Sequence, residues 1–131
     1  MNWPSYFPPE CPPPDATVAE GEVYRLVAHN PPQPSDFVPL AIEQPHRDFA
    51  RCACKACGIS LYRDPADIKR LQDRVPGHRN KVLARGILDA QDGVMKPTPS
   101  EVAGGASHHT LWIPEGVETV RHFEVIEGGA K

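Results

Sequence analysis

Apolar and polar residues alternate most cleanly over 22–28, Glu-Val-Tyr-Arg-Leu-Val-Ala. A period of two places Val23, Arg25 and Val27 on one face of a strand and Tyr24, Leu26 and Ala28 on the other. Further extended runs follow at 58–62, 81–88, 108–114 and 120–127, and Val94-Met95-Lys96 reads as a short return strand. Between them the period changes once. Ile68, Leu71 and Val75 recur at helical spacing while Lys69, Arg70 and Asp73 point outward, with Asp64 placed to cap and Pro65 to open the first turn. Residues 36–43 fit either a short helix or an edge strand, and Pro39 disturbs both. Strands outnumber helices, so the pattern predicts an α+β fold on a mostly antiparallel sheet, open to being split, with one principal helix.

Proline changes this picture at one end. Eleven of the 16 prolines lie in residues 1–45. Pro4, Pro8, Pro9 and Pro12 to Pro14 remove amide donors and fix φ, which makes residues 1–20 an extended proline-rich arm. Trp3, Tyr6 and Phe7 argue that this arm lies on the domain of residues 21–131, burying its rings, and docking on another protein is the competing use.

Charge is uneven along the chain: net −5 over 1–45, +5 over 46–96 and −3 over 97–131. The basic middle suits a small anionic ligand. A general nucleic-acid interface is disfavoured, because Arg63, Lys69, Arg70, Arg74, Arg79 and Lys81 interleave with Asp64, Asp67 and Asp73 as on a solvated helix face. No apolar run is long enough for a membrane-spanning helix, and the start has neither a basic nor an apolar leader region. A cytoplasmic chain is the expectation, with its cysteines held as thiols or metal thiolates.

Cys52-Ala-Cys54-Lys-Ala-Cys57-Gly58 has the spacing of a zinc knuckle, in which two thiolates reach one ion from a tight turn. The candidate ligands are Cys52, Cys54, Cys57 and His46, with Cys11, His108 or His109 able to arrive through the fold in the fourth place. Two other readings stay open: a thiol–disulfide pair, and a set of small buried thiols at the entry to a strand.

The other chemically loaded stretch is Gly-Gly-Ala-Ser-His-His-Thr, where a glycine-rich loop delivers Ser107, His108 and His109 to a strand. Adjacent extended residues face opposite ways, so one histidine at most points at a given site. Arg25, flanked by valines on its face, needs an anionic or carbonyl partner, whether Glu124 or a ligand phosphate or carboxylate.

Together, Val-Tyr-Arg-Leu-Val on the first strand, Gly-Ile-Ser-Leu-Tyr-Arg-Asp-Pro-Ala-Asp-Ile-Lys-Arg-Leu, Val-Leu-Ala-Arg-Gly-Ile-Leu and Ser-His-His-Thr-Leu-Trp-Ile-Pro-Glu-Gly-Val resemble the small ADP-ribosyltransferase-like domains. The chain is also similar to uncharacterised small bacterial proteins. The first resemblance covers about residues 20–127 as an order of elements, and implies a cleft in a split antiparallel sheet that binds NAD or a related nucleotide. It implies that Arg25, with Tyr24 and Ser107, holds the ligand. His108 or His109 would then fix the ribose or act as base, with Glu124 stabilising developing cationic charge. Glu124 lies in a Glu-x-x-Glu spacing where the family has Glu-x-Glu or His-Tyr-Glu, so an enzyme and an inactive relative are both expected forms. The alternative expectation is a non-enzymatic interaction protein, phage-associated or toxin-neutralising, stapled by zinc at the cysteines.

Overall fold

The structure, a computed structural model, describes residues 1–99 and 105–127. Part of the loop before Ser107 expected from sequence, residues 100–104, lies outside the described residues. Seven strands run in the order β1 (Thr17–Val18), β2 (Gly21–Val27), β3 (Ile59–Tyr62), β4 (Val82–Leu88), β5 (Val94–Pro97), β6 (His108–Trp112) and β7 (Phe123–Glu127). They form one antiparallel sheet in the spatial order β1-β5-β6-β3-β2-β4-β7. Helices are few: α1 (Leu40–Glu43), α2 (Ala53–Ala56) and α3 (Pro65–Arg74).

The period-two pattern sorts the sheet's two faces as the alternation requires. Val23 and Val27 pack with Ile59, Leu61, Ala84, Leu88 and Leu111 on one face, together with Phe37 and Phe123. Tyr24 and Leu26 pack with Tyr62 and Leu83 on the other, where Ile68 and Leu71 of α3 cover them. Helix α3 forms where the 3.6-residue spacing placed it, capped by the Asp64 carboxylate, which accepts from the Ala66 amide at 2.9 Å.

Asp67, in the first turn of α3, is buried at 2 % exposure and ties the helix to the loop before β6. Its Oδ2 accepts from the Ser107 amide at 2.9 Å, and Arg70 donates to Oδ1. The Asp64 amide returns a bond to Ser107 Oγ at 3.1 Å. The Ser107 hydroxyl and amide, with Arg70, outweigh the cost of burial and hold the Asp67 carboxyl below its ordinary value. A depressed native pKa means that Asp67 stabilises the fold above the unfolded carboxylate pKa of about 3.9, and that this contribution is lost as pH falls through the lower native value. Asp67→Asn therefore costs about 1–3 kcal/mol at pH 7, and the gap between variant and parent narrows as pH drops below about 4. Urea titrations at the two pH values check this; an equal gap at both would remove the charge from the account.

The sheet has one weak joint. β2 pairs with β4 along seven residues, but with β3 only at Tyr24 opposite Tyr62. Past that pair the strands diverge, and the Arg25 guanidinium crosses the gap. Its Nη1 donates to the Ser60 carbonyl of β3 at 2.7 Å and its Nε to the Asp36 carbonyl at 2.9 Å. The sequence offered Glu124 as the partner of Arg25, and this is corrected. Glu124 stands opposite Arg85 on β4 and pairs with it at 3.3 Å, on the Tyr24 face of the sheet. The arginine answers one carbonyl of β3 and one of the turn Pro34–Phe37.

Residues 1–16 contain no strand or helix, and the short strand β1 follows them. Trp3 and Phe7 stack at 5.9 Å and pack with Cys11, Cys57 and the fully buried Trp112. The Asn2 carbonyl accepts from the Glu115 amide at 2.8 Å. Gly93, between Asp92 and β5, has φ +119°, and a Cβ there would meet the Trp112 carbonyl at 2.0 Å, so only glycine closes this turn. Among the described residues no helix is long and apolar enough to cross a membrane.

Candidate functional site

A cavity of about 540 Å³ opens where β2 and β3 part. Its floor is Arg25 and Leu26 of β2 with Ser60 and Tyr62 of β3. One wall is the segment 38–58, which brings Glu43, Arg47, Phe49, Cys52 and Lys55; the other brings Leu71 of α3, His78 and Lys81. Four guanidinium or ammonium groups (Arg25, Arg47, Lys55, Lys81) thus face one carboxylate, Glu43. Phe49 carries the Arg47 guanidinium 4.7 Å above its ring.

Arg25 is set into this floor by what lies beside it. Its guanidinium sits 5.6 Å from the Phe37 ring. Burial pushes it down to about 10, against the opposing pull of Glu43 and Asp36, so it remains a cation at neutral pH. Asp36 anchors the segment that supplies the accepting carbonyl. Its carboxylate takes the amides of Ala28 at 2.9 Å and Gln33 at 2.8 Å, and His29 Nδ1 lies 3.1 Å away. Burial raises the Asp36 carboxyl, but these donors outweigh it and hold it below its ordinary value. Of the five guanidinium N–H groups, two are spent on carbonyls, and the rest have no protein partner among the described residues.

The other residues expected at the site stand elsewhere. His108, buried on the Tyr62 face, packs edge-on to that ring at 5.1 Å and donates from Nδ1 to the Thr98 carbonyl at 2.9 Å. Burial pushes it below the usual histidine range, against the pull of the Thr98 bond. His109 turns to the opposite face, as adjacent extended residues must, and its Nδ1 donates to the Ser107 carbonyl at 2.8 Å. Neither histidine lines the Arg25 cavity; Thr110 of the same strand does. Tyr24 lies in the cluster under α3 and donates to Glu22, and Ser107 is spent on the α3 terminus. Glu124 is paired with Arg85. Arg25 alone of the expected catalytic and ligand-binding set faces the cavity.

The cysteines also differ from expectation. Cys54 is disulfide-bonded to Cys11, so it is neither a free thiol nor a thiolate ligand. Cys52 is an exposed thiol lining the cleft, Cys57 is buried, and His46 is exposed. Among the described residues the expected zinc set of Cys52, Cys54, Cys57 and His46 is not gathered. The physical reason is that the fold brings Cys11 to Cys54, with Cα atoms 5.5 Å apart, and a covalent bond uses that sulfur first. The group whose potential ligand atoms do converge is Asp89, Asp92 and His122. There the fully buried Asp92 already accepts from Thr119 Oγ1 at 3.0 Å, the Asp89 amide at 2.9 Å and His122 Nδ1 at 2.7 Å. Those bonds join the turn after β4 to the turn before β7, which is work enough for the carboxylate.

Phe49, Lys55 and His78 were not expected as cleft residues, and Lys81 was expected only at the start of the extended run 81–88 and among charges interleaved with acids as on a solvated face. The available signal was the net +5 of residues 46–96, which supplies three of the four cations. No protein-family model, no curated protein and no solved structure matches the chain.

Proposed function

We propose that this domain binds an anionic, nucleotide-like ligand in the cleft between β2 and β3. The observation that carries the proposal is the convergence of Arg25, Arg47, Lys55 and Lys81 on one cavity that holds a single carboxylate. Like charges gathered from separate elements repel, and a bound anion relieves that repulsion. The Phe49 and Tyr62 rings line the same cavity and suit a planar base, and its volume is within the ordinary range of small-ligand sites. NAD is the candidate suggested by the sequence resemblance. The reading is one of binding: His108, His109 and Glu124, which the resemblance would use for transfer chemistry, are outside the cleft.

Titration calorimetry with NAD, ADP-ribose and ATP tests it. Binding is expected to weaken with added salt, and Lys55→Ala and Lys81→Ala each lower affinity about tenfold, the value of one lost charged hydrogen bond. Neither lysine side chain makes a bond within the described fold, so both variants keep their stability. No heat with any of the three, or unchanged affinity in both variants, overturns the assignment.

A further inference from the structure

Within that cleft, and resting on that reading, the group the fold leaves unexplained is His78. Its Nδ1 is the buried side-chain nitrogen or oxygen with no hydrogen-bond partner among the described residues. The residue closes a 3₁₀ turn, Pro76–His78, directly after α3. Gln72 holds that turn from the helix: its Nε2 donates to the carbonyls of His78 at 3.1 Å and Lys81 at 2.8 Å. One amide thus sets the backbone position of both residues, and both line the cleft with Arg25.

The orphaned nitrogen fixes the form of the ring. An N–H buried at Nδ1 with no acceptor costs more than a buried lone pair, so the proton belongs on Nε2. A second proton would have to enter that same buried position. Burial disfavours it first, then the Lys81 ammonium and the Arg25 guanidinium, and together they hold His78 below its ordinary value. Glu43 is the opposing charge in the cavity, on the far wall. His78 is therefore an uncharged N–H donor lining the same cavity as those two cations.

We infer that Arg25, Lys81 and neutral His78 form a subsite for a phosphoryl group. Arg25 has N–H groups left over from its two carbonyl bonds, Lys81 has an ammonium, and His78 has one N–H. A phosphoryl group offers three terminal oxygens and close to two negative charges at neutral pH, which suits three donors and two cations. A carboxylate offers a single charge and leaves one of the two cations unanswered. Free phosphate and the phosphate of a monoester share this chemistry, whereas each bridged phosphate of NAD has two free oxygens and one charge.

The test uses the full chain with labelled histidine, observed by NMR, and titrated with inorganic phosphate, AMP, adenosine and acetate. Without ligand, His78 is expected as the Nε2–H tautomer; an Nδ1–H or protonated ring at pH 7 overturns the inference by itself. Phosphate and AMP should move the His78 resonances, and acetate and adenosine should not. AMP binding well above phosphate marks an ester as the ligand, and equal affinity marks the free ion. His78→Gln, which keeps a donor, should retain affinity for phosphate within about threefold, and His78→Phe should lose about tenfold. Thermal unfolding of both variants confirms that they fold. Should ATP bind in a Lys55-dependent way while His78 stays silent and His78→Phe binds normally, the subsite is wrong and the cleft stands. Should no anion bind at all, both fall.

Discussion

Breaking the Cys11–Cys54 disulfide is expected to destabilise this protein by about 4 kcal/mol, the chain-entropy value for a loop of this length. The crosslink spans 43 residues, so it removes a large set of conformations from the unfolded chain. It also fastens residues 1–16 to α2. Six of residues 1–16 are prolines and have no amide to donate, and α2 is one turn long. Around the bridge, Trp112 Nε1 donates to the Cys54 carbonyl at 2.8 Å, and Trp3 and Phe7 cover the cluster. Cys54→Ser, or reductant added to the parent, should therefore lower the denaturation midpoint by the same amount and expose Trp112 fluorescence to solvent. Cys52→Ser, at an exposed free thiol, should leave the midpoint unchanged. A midpoint indifferent to reductant would mean that the bond contributes nothing to the folded chain.

Arg25→Met should cost about 2–4 kcal/mol, because it removes the donor to two carbonyls at once while keeping the length of the stem. The Ser60 and Asp36 carbonyls would lose their bridging partner where the sheet has a single residue pair. Arg25→Lys should recover only part of the loss, since an ammonium cannot reproduce the forked geometry that meets both oxygens. Hydrogen exchange gives a second readout: amides in 24–27 and 59–62 should exchange faster in Arg25→Met, while those of β4 and β6 keep their protection. If that variant denatures with the parent, the guanidinium is free to serve a ligand alone and does not hold the sheet. This structural duty is also why Lys55 and Lys81 are the better probes of ligand binding.

The elements legible in the sequence were those whose signal is local. Asp64-Pro65 with Ile68 and Leu71 contains a cap, an opening proline and a helical stripe, and α3 forms there. The turn at 34–37 was missed, although Asp36 within it accepts from the Gln33 amide that precedes it at 2.8 Å. Helix α2 was missed because three cysteines in a row of small residues read as a metal turn, and nothing local says that Cys11 will arrive. Arg25 was recognised as needing a partner, but its partners are backbone carbonyls, which carry no residue-type signal.

By itself, then, the sequence determined the antiparallel class of the sheet, the two faces of β2, the principal stripe of α3 and the singular position of Arg25. All of these depend on residues within a few places of one another, whose side-chain direction follows from strand or helix period. Tertiary structure decided the rest. The divergence of β2 from β3, the pairing of Cys11 with Cys54, the turning of His108 and His109 away from the cleft, and the meeting of Lys55, His78 and Lys81 around Arg25 all join residues far apart in the chain. Such meetings are set by strand register and by which carbonyls the ladder leaves open, and those are properties of the assembled sheet.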